Sequence, residues 1–214
     1  MFPNLGEDLR RYGNPRQQIK ALLLAPRVWA IVAYRFAHWV HTAPMPAIVR
    51  WPLKMLVRLI YVFIEIATNI ELPAQTVVGC GLFVPHTGHI IIASNATIGR
   101  YCTFTQGISV GHGAGGRESS FASPVVGDRV YIGPGAAVLG PINIGNDVLI
   151  GANAVVIRSV PARAVVVGNP ARVISMKGSF DLVKYDGMDR DGQRIASLAA
   201  GSSETKDQTT IDHE

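Results

Sequence analysis

The 214-residue sequence predicts a mainly β fold, a solenoid of short strands preceded by a short α-helical segment. Three observations carry that reading. From Leu72 onward an apolar side chain returns every six residues, at Leu72, Val78 and Val84, then Ile92, Ile98, Phe104 and Val110, then Val126, Ile132, Val138, Ile144, Ile150 and Val156. Glycine often follows at once, as in Ile98-Gly99, Ile132-Gly133 and Ile144-Gly145. Four positions after the apolar residue the side chain is small or β-branched, at Thr76, Ala96, Cys102, Val130, Ala136, Val148 and Ala154. A six-residue period fits neither a helix face nor strand alternation, so it describes a repeated unit of short strand and tight corner. Coils of such units stack at the spacing of hydrogen-bonded strands, ~4.8 Å.

The chain divides into a helical segment, 1–70, a solenoid domain, 71–177, and a polar C-terminal tail, 178–214, whose composition from Gly201 predicts partial disorder. The opening MFPNLGEDLRRY lacks an apolar core and places Glu7 and Asp8 where a signal peptide is basic, which predicts a cytoplasmic protein. Pro15 introduces an apolar pattern at helical spacing, and Pro26 is placed to start a new helix, so two or three helices are expected before the repeats. Residues Trp51 to Ile70 are nearly apolar, with Lys54, Arg58 and Glu65 as the only charges. Three charges argue against a spanning helix and predict one packed on the solenoid or on neighbouring subunits. The tryptophans Trp29, Trp39 and Trp51 lie among basic residues and suggest a second reading. In it, residues 1–70 make peripheral contact with the inner face of a membrane, which would suit a lipid-linked substrate.

Hydrophobic residues make up 48% of the chain and charged ones 16%, a ratio that predicts apolar surface covered by other subunits. The formal net charge of +5 is uneven: nine Lys/Arg against three Asp/Glu in residues 1–70, seven against four to Lys177, four against eight in the tail. The basic residues are dispersed and no recognition motif accompanies them, so nucleic acid is excluded as a partner. Two cysteines, Cys80 and Cys102, make no disulfide framework and indicate a reducing compartment.

The repeats break twice. Around PHTGHIII two extra residues separate Val84 from Ile92, and GHGAGGRESSFASP, from Gly111 to Pro124, is too long to continue the coil and leaves it as a loop. His86 and His89 stand at the first break and His112 opens the second. A neutral histidine is the usual base for taking a proton from a hydroxyl, and a carboxylate on its other ring nitrogen orients it. Glu71, fifteen residues before His86, is the candidate orienting group if three hexads make one turn.

The runs IELPAQTVVGCGLFVPHTGHIII, ATIGRYCTFTQGISVG and VYIGPGAAVLGPINIGNDVLIGANAVVIRSVPARAVVVGNPARVI resemble serine acetyltransferases and their shorter relatives, over roughly Ile70 to Ile174. The resemblance implies a left-handed parallel β-helix of triangular section, assembled as a homotrimer, with acetyl-CoA held between subunits and its acetyl group passed to a hydroxyl. It places the catalytic histidine on His86 and its acidic partner on Glu71, a Glu where the serine enzymes have Asp. Contacts to the pantetheine arm fall near Gly111, His112, Gly133, Pro134, Gly151 and Ala152. His112 is also the second candidate for the base, because related galactoside and xenobiotic acetyltransferases carry their histidine in a comparable loop. Two departures bear on the acceptor. The serine enzymes have an aspartate before the histidine and an Arg-His-Pro triplet in the loop, where this chain has Pro85 and Ala122-Ser123-Pro124, with Arg117 as partial compensation. A zwitterion thus loses charged contacts worth about 1.5–3 kcal/mol each, so a sugar hydroxyl of an exopolysaccharide or lipid-linked glycan is the expected acceptor, with serine as the alternative. Two further classes are weighed: a γ-carbonic-anhydrase-like hydratase with His86, His89 and His112 as zinc ligands, and a non-catalytic scaffold trimer. No metal is expected in the acetyltransferase itself.

Overall fold

A computed structural model describes residues 2–113 and 122–211. Four helices precede the strands, one more than the upper expectation: α1 (Phe2–Arg10), α2 (Pro15–Leu24), α3 (Pro26–Thr42) and α4 (Ala47–Thr68). The additional element is α1, whose polar sequence carries no long apolar stripe. Helix α2 begins at a capping box, in which Asn14 Oδ1 accepts from the Gln17 amide at 3.0 Å and Gln17 Oε1 accepts from the Asn14 amide at 2.9 Å. Pro15 and Pro26 occupy first-turn positions, where the missing N–H is harmless. Helix α4 stops at Asn69, which turns left-handed at φ 51°. No described helix is long and apolar enough to cross a membrane.

The hexads form a three-faced β-helix. One face orders β1 (Ile70–Glu71), β3 (Ile90–Ile92), β6 (Ser109–Gly111), β9 (Ala137–Leu139) and β12 (Val155–Val156). The second stacks β2 (Val77–Val78), β4 (Thr97–Ile98), β7 (Val125–Val126) and β10 (Asn143–Ile144). The third stacks β5 (Thr103–Phe104), β8 (Tyr131–Ile132), β11 (Leu149–Ile150), β13 (Val165–Val167) and β14 (Arg172–Ser175). Strand register measures each coil. Val125 pairs with Asn143, eighteen residues on, so three hexads make a full turn. Val77 pairs with Thr97 after twenty residues, and Thr97 with Val125 after twenty-eight. The two breaks therefore insert two and ten residues into otherwise regular coils.

Each coil sends one apolar residue per face inward. Ile98, Val126 and Ile144 stack on the second face, and Phe104, Ile132 and Ile150 on the third, all essentially excluded from solvent. The small positions Cys102, Val130, Val148 and Ala164 fill one corner between them. Glycine is obligatory where coils touch. A Cβ on Gly127 would stand 2.5 Å from Asn146 Oδ1 and 2.9 Å from the Asn146 nitrogen, so the Gly99, Gly127, Gly145 column lets backbones approach. The last segment departs from expectation. Instead of continuing the coil, PARVI folds back as β14, antiparallel to β13. The tail also continues beyond Gly201 as helix α5 (Gly192–Ile211), where composition predicts no regular structure.

Candidate active site

The helices are bolted to the first coils by buried charge. Arg35 of α3 donates to Val78 O and Gly79 O, each at 2.6 Å, and makes a two-pronged ion pair with Asp8 of α1 at 2.8 and 3.0 Å. Asp8 Oδ1 also accepts from the Leu82 amide at 2.8 Å. Arg11 reaches the carbonyls of Gly81, Tyr101 and Cys102 at 2.9–3.0 Å, and its burial lowers the guanidinium pKa to about 10. Tyr34 donates to Thr76 O at 2.7 Å and Tyr12 to Val84 O at 3.0 Å. This frame fixes the chain on both sides of the first break, where His86 lies.

His86 sits in the widened corner that follows Val84. The Gly88 amide donates to Thr68 O at 3.1 Å and the Ile90 amide to Asn69 O at 3.0 Å, so this corner runs beside the chain entering β1. Glu71 is the second residue of β1 and pairs with Ile91 of the next coil. Glu71 therefore opens the twenty-residue turn that His86 nearly closes, and the His86 corner stacks beside the chain that leads into Glu71. Both side chains face solvent, and among the described residues no hydrogen bond joins them. Corner amides carry the same stacking along the helix, with Gly107 donating to Gly88 O, Gly135 to Gln106 O and Asn153 to Pro134 O. Gly133, Pro134, Gly151 and Ala152 therefore lie on later turns of the corner that holds His86. None brings a side chain larger than a proline ring, and a Cβ on Gly133 would meet the Gly151-Ala152 backbone at 2.8 Å.

Gly111 and His112 lie at the far end of the same face. Together with Glu71, Ile91, Ser109 and Leu139 they line an open cleft of about 420 Å³, so the structure brings Glu71 to a shared cleft with His112 as well as to the coil beside His86. Ser123 Oγ is 3.3 Å from His112 Nδ1 and is also hydrogen-bonded to Asn95. Sequence reasoning did not single out Asn95, because a polar corner residue seventeen positions away carries no spacing signal. Arg117, expected to compensate in the loop, lies outside the described residues. Among the described residues of the single chain no three His, Cys, Asp or Glu side chains gather into a metal-binding group.

Neither cysteine is placed as a nucleophile. Cys102 is fully buried, and burial pushes its thiol up to about 12. Cys80 is half-buried and is likewise raised by burial. A thiol held protonated does not accept an acyl group readily.

A bacterial transferase hexapeptide model of six repeats matches residues 123–158, in the stretch where the coils are most regular. With the left-handed β-helix, this defines the class as hexapeptide-repeat transferases. Curated relatives narrow it. The serine acetyltransferase of Synechococcus elongatus is 36% identical over 193 residues, covering 88% of this chain and 73% of that protein. That of Helicobacter pylori is 36% identical over 160 residues, covering 75% of this chain and 88% of its own length. Among solved structures, the soybean serine acetyltransferase apoenzyme aligns at TM-score 0.67 and 28% identity, over 80% of this chain and 68% of that one. The Brucella abortus serine acetyltransferase solved with coenzyme A shares the fold at TM-score 0.69 and 24% identity, over 83% of this chain and 68% of that one. The chain belongs to the serine acetyltransferase family. It is accordingly an acyltransferase, with acetyl-CoA as the acetyl donor.

Proposed function

We propose that the protein transfers the acetyl group of acetyl-CoA to the hydroxyl of L-serine. The observation that carries the acceptor is the named activity of relatives matched over most of both chains. It favours serine over the sugar hydroxyl expected from sequence. The sugar reading retains one local argument: neutral Pro85 and Ala122 stand where the serine enzymes carry Asp and Arg, and the neighbouring Ser123 is engaged with Asn95 and His112.

In the proposed reaction His86 takes the acceptor proton as the hydroxyl oxygen attacks the thioester carbonyl. Glu71, which opens the turn that His86 nearly closes, orients the imidazole. Backbone N–H groups of the corner stabilise the oxyanion, and His86 returns the proton to the departing thiolate. The uncluttered corner formed by Gly133, Pro134, Gly151 and Ala152 fits an extended thioester arm, and Gly111 and His112 border the cleft at its other end. His112 is the alternative base, favoured by the cleft it shares with Glu71. The assembly proposed is a homotrimer, in which a neighbouring subunit would wall the open cleft. A cytoplasmic location is part of the same proposal, supported by two unpaired cysteines.

The deciding assay measures coenzyme A release from acetyl-CoA with L-serine and, separately, with a panel of sugars. Release dependent on serine is expected. Release with sugars alone would replace serine by the glycan acceptor, and release with neither would remove the proposed activity.

A further inference from the structure

Helix α4 presents its apolar side outward. Leu53, Val57, Tyr61, Ile64 and Thr68 face the protein, one turn apart, whereas Ile48, Trp51, Met55, Leu59, Phe63 and Ile66 face solvent. Of the latter, Ile48, Trp51, Phe63 and Ile66 are 84%, 70%, 75% and 73% exposed. With successive residues turned by ~100°, this apolar arc spans about half the circumference. Its border on one side carries Lys54 and Arg58, both exposed, with the half-buried Glu65 between them, so the exposed charge there is cationic.

The charge around the arc says what covers it. Arg10, Arg16, Lys20, Lys54 and Arg58 are exposed on the four helices, while Asp8 is buried and Glu7 and Glu65 are half-buried. Thus no carboxylate among residues 4–69 is exposed. A second copy seated on α4 through the same segment would bring cations against cations. An anionic surface with an apolar interior matches both features.

We propose that α4 lies flat on an anionic lipid surface, its apolar arc in the acyl boundary and Lys54 and Arg58 at the phosphate level. The helix does not cross, in keeping with its four charges, Arg50, Lys54, Arg58 and Glu65, and the absence of a spanning helix among the described residues. Helix α2 extends the same chemistry, with Ile19, Leu22, Leu23 and Leu24 exposed beside Arg16 and Lys20. The cavity of about 380 Å³ between α3, α4 and the first coil is lined by Lys54 and Arg58 and also by Glu71. Docking in this pose therefore holds the proposed site beside the headgroups.

The test is sedimentation of the full chain with vesicles of phosphatidylcholine alone and with an equal mixture of phosphatidylcholine and phosphatidylglycerol. Acetyl transfer does not enter the readout, so its failure and a failure of the proposed reaction are separate results. The chain is expected to sediment with the mixed vesicles and to be released by high salt. Lys54→Gln with Arg58→Gln, surface changes that leave packing alone, should weaken binding about 25-fold, at about fivefold per charge. Phe63→Ser with Ile66→Ser should weaken it by at least about tenfold, with the far-ultraviolet dichroism unchanged. A chain that stays in the supernatant with the mixed vesicles overturns the proposal, as does binding indifferent to both double variants. If lipid binding is absent and Phe63→Ser with Ile66→Ser instead lowers the mass in light scattering, the face belongs to a second copy and the lipid proposal falls.

Discussion

The β-helix and the helical segment hide their apolar residues in opposite ways. In the β-helix each inward position repeats on the next coil, so Ile98, Val126 and Ile144 bury one another and no single residue is special. The four helices have no such column. They bury one side of α3, where Ala30, Ile31 and Tyr34 join the solenoid core, leave most of α4 bare, and add a few polar anchors to the coils, Asp8, Arg11 and Arg35. The contrast teaches where each region is vulnerable: the solenoid to changes of shape between coils, the helices to loss of a single charge.

The largest effect is expected at the joint. Asp8→Ala strips the partner from Arg35, whose side chain is 3% exposed, and should lower stability by about 3–5 kcal/mol in urea unfolding. An unchanged midpoint would mean that the helices are held by apolar contact alone. Within the solenoid, Gly127→Ala drives a methyl group into the Asn146 backbone and should cost about 1–3 kcal/mol. Gly192→Ala, where a Cβ meets open space, should cost almost nothing in the same assay.

Much of this contrast was legible before the fold was known. The hexad columns read directly because each inward residue recurs at a fixed interval, and the two breaks appear as the intervals that fail. The anchors did not read, because Asp8 and Arg35 are twenty-seven residues apart and a charge in a helix ordinarily signals a solvent face. For the same reason the sequence showed that α4 is apolar without showing which side faces inward. At the site, His86 was marked by the first break and Glu71 by its fifteen-residue offset. The cleft that Glu71 shares with His112 was not, since it depends on how the faces stack. The fold-back of β14 was hidden because ARVI has the composition of another hexad.

Smaller effects sharpen the comparison at the C-terminal end. Burial raises the Asp191 carboxyl, but the Tyr185 hydroxyl at 2.6 Å, the Arg194 and Gln193 amides and Arg129 outweigh it, leaving the group below its ordinary value. A carboxyl lowered in the folded state gives stability that is present above its unfolded pKa and lost as pH falls through the folded one. Asp191→Asn should therefore lower the melting temperature at neutral pH and flatten its fall below about pH 4. The least perturbing test is thiol alkylation of the native chain near neutral pH. Cys80 should react slowly and Cys102 only on unfolding, by mass spectrometry; prompt Cys102 labelling would mean that the coil opens.

The most direct test of the account is the turnover of His86→Ala and His112→Ala with acetyl-CoA and L-serine, beside the unaltered chain. His86→Ala should lose at least about 10²-fold in kcat with the fold retained, while His112→Ala alters KM more than kcat. A His86→Ala protein that turns over normally, with His112→Ala inactive, would contradict the assignment and move the base to the cleft that Glu71 shares with His112.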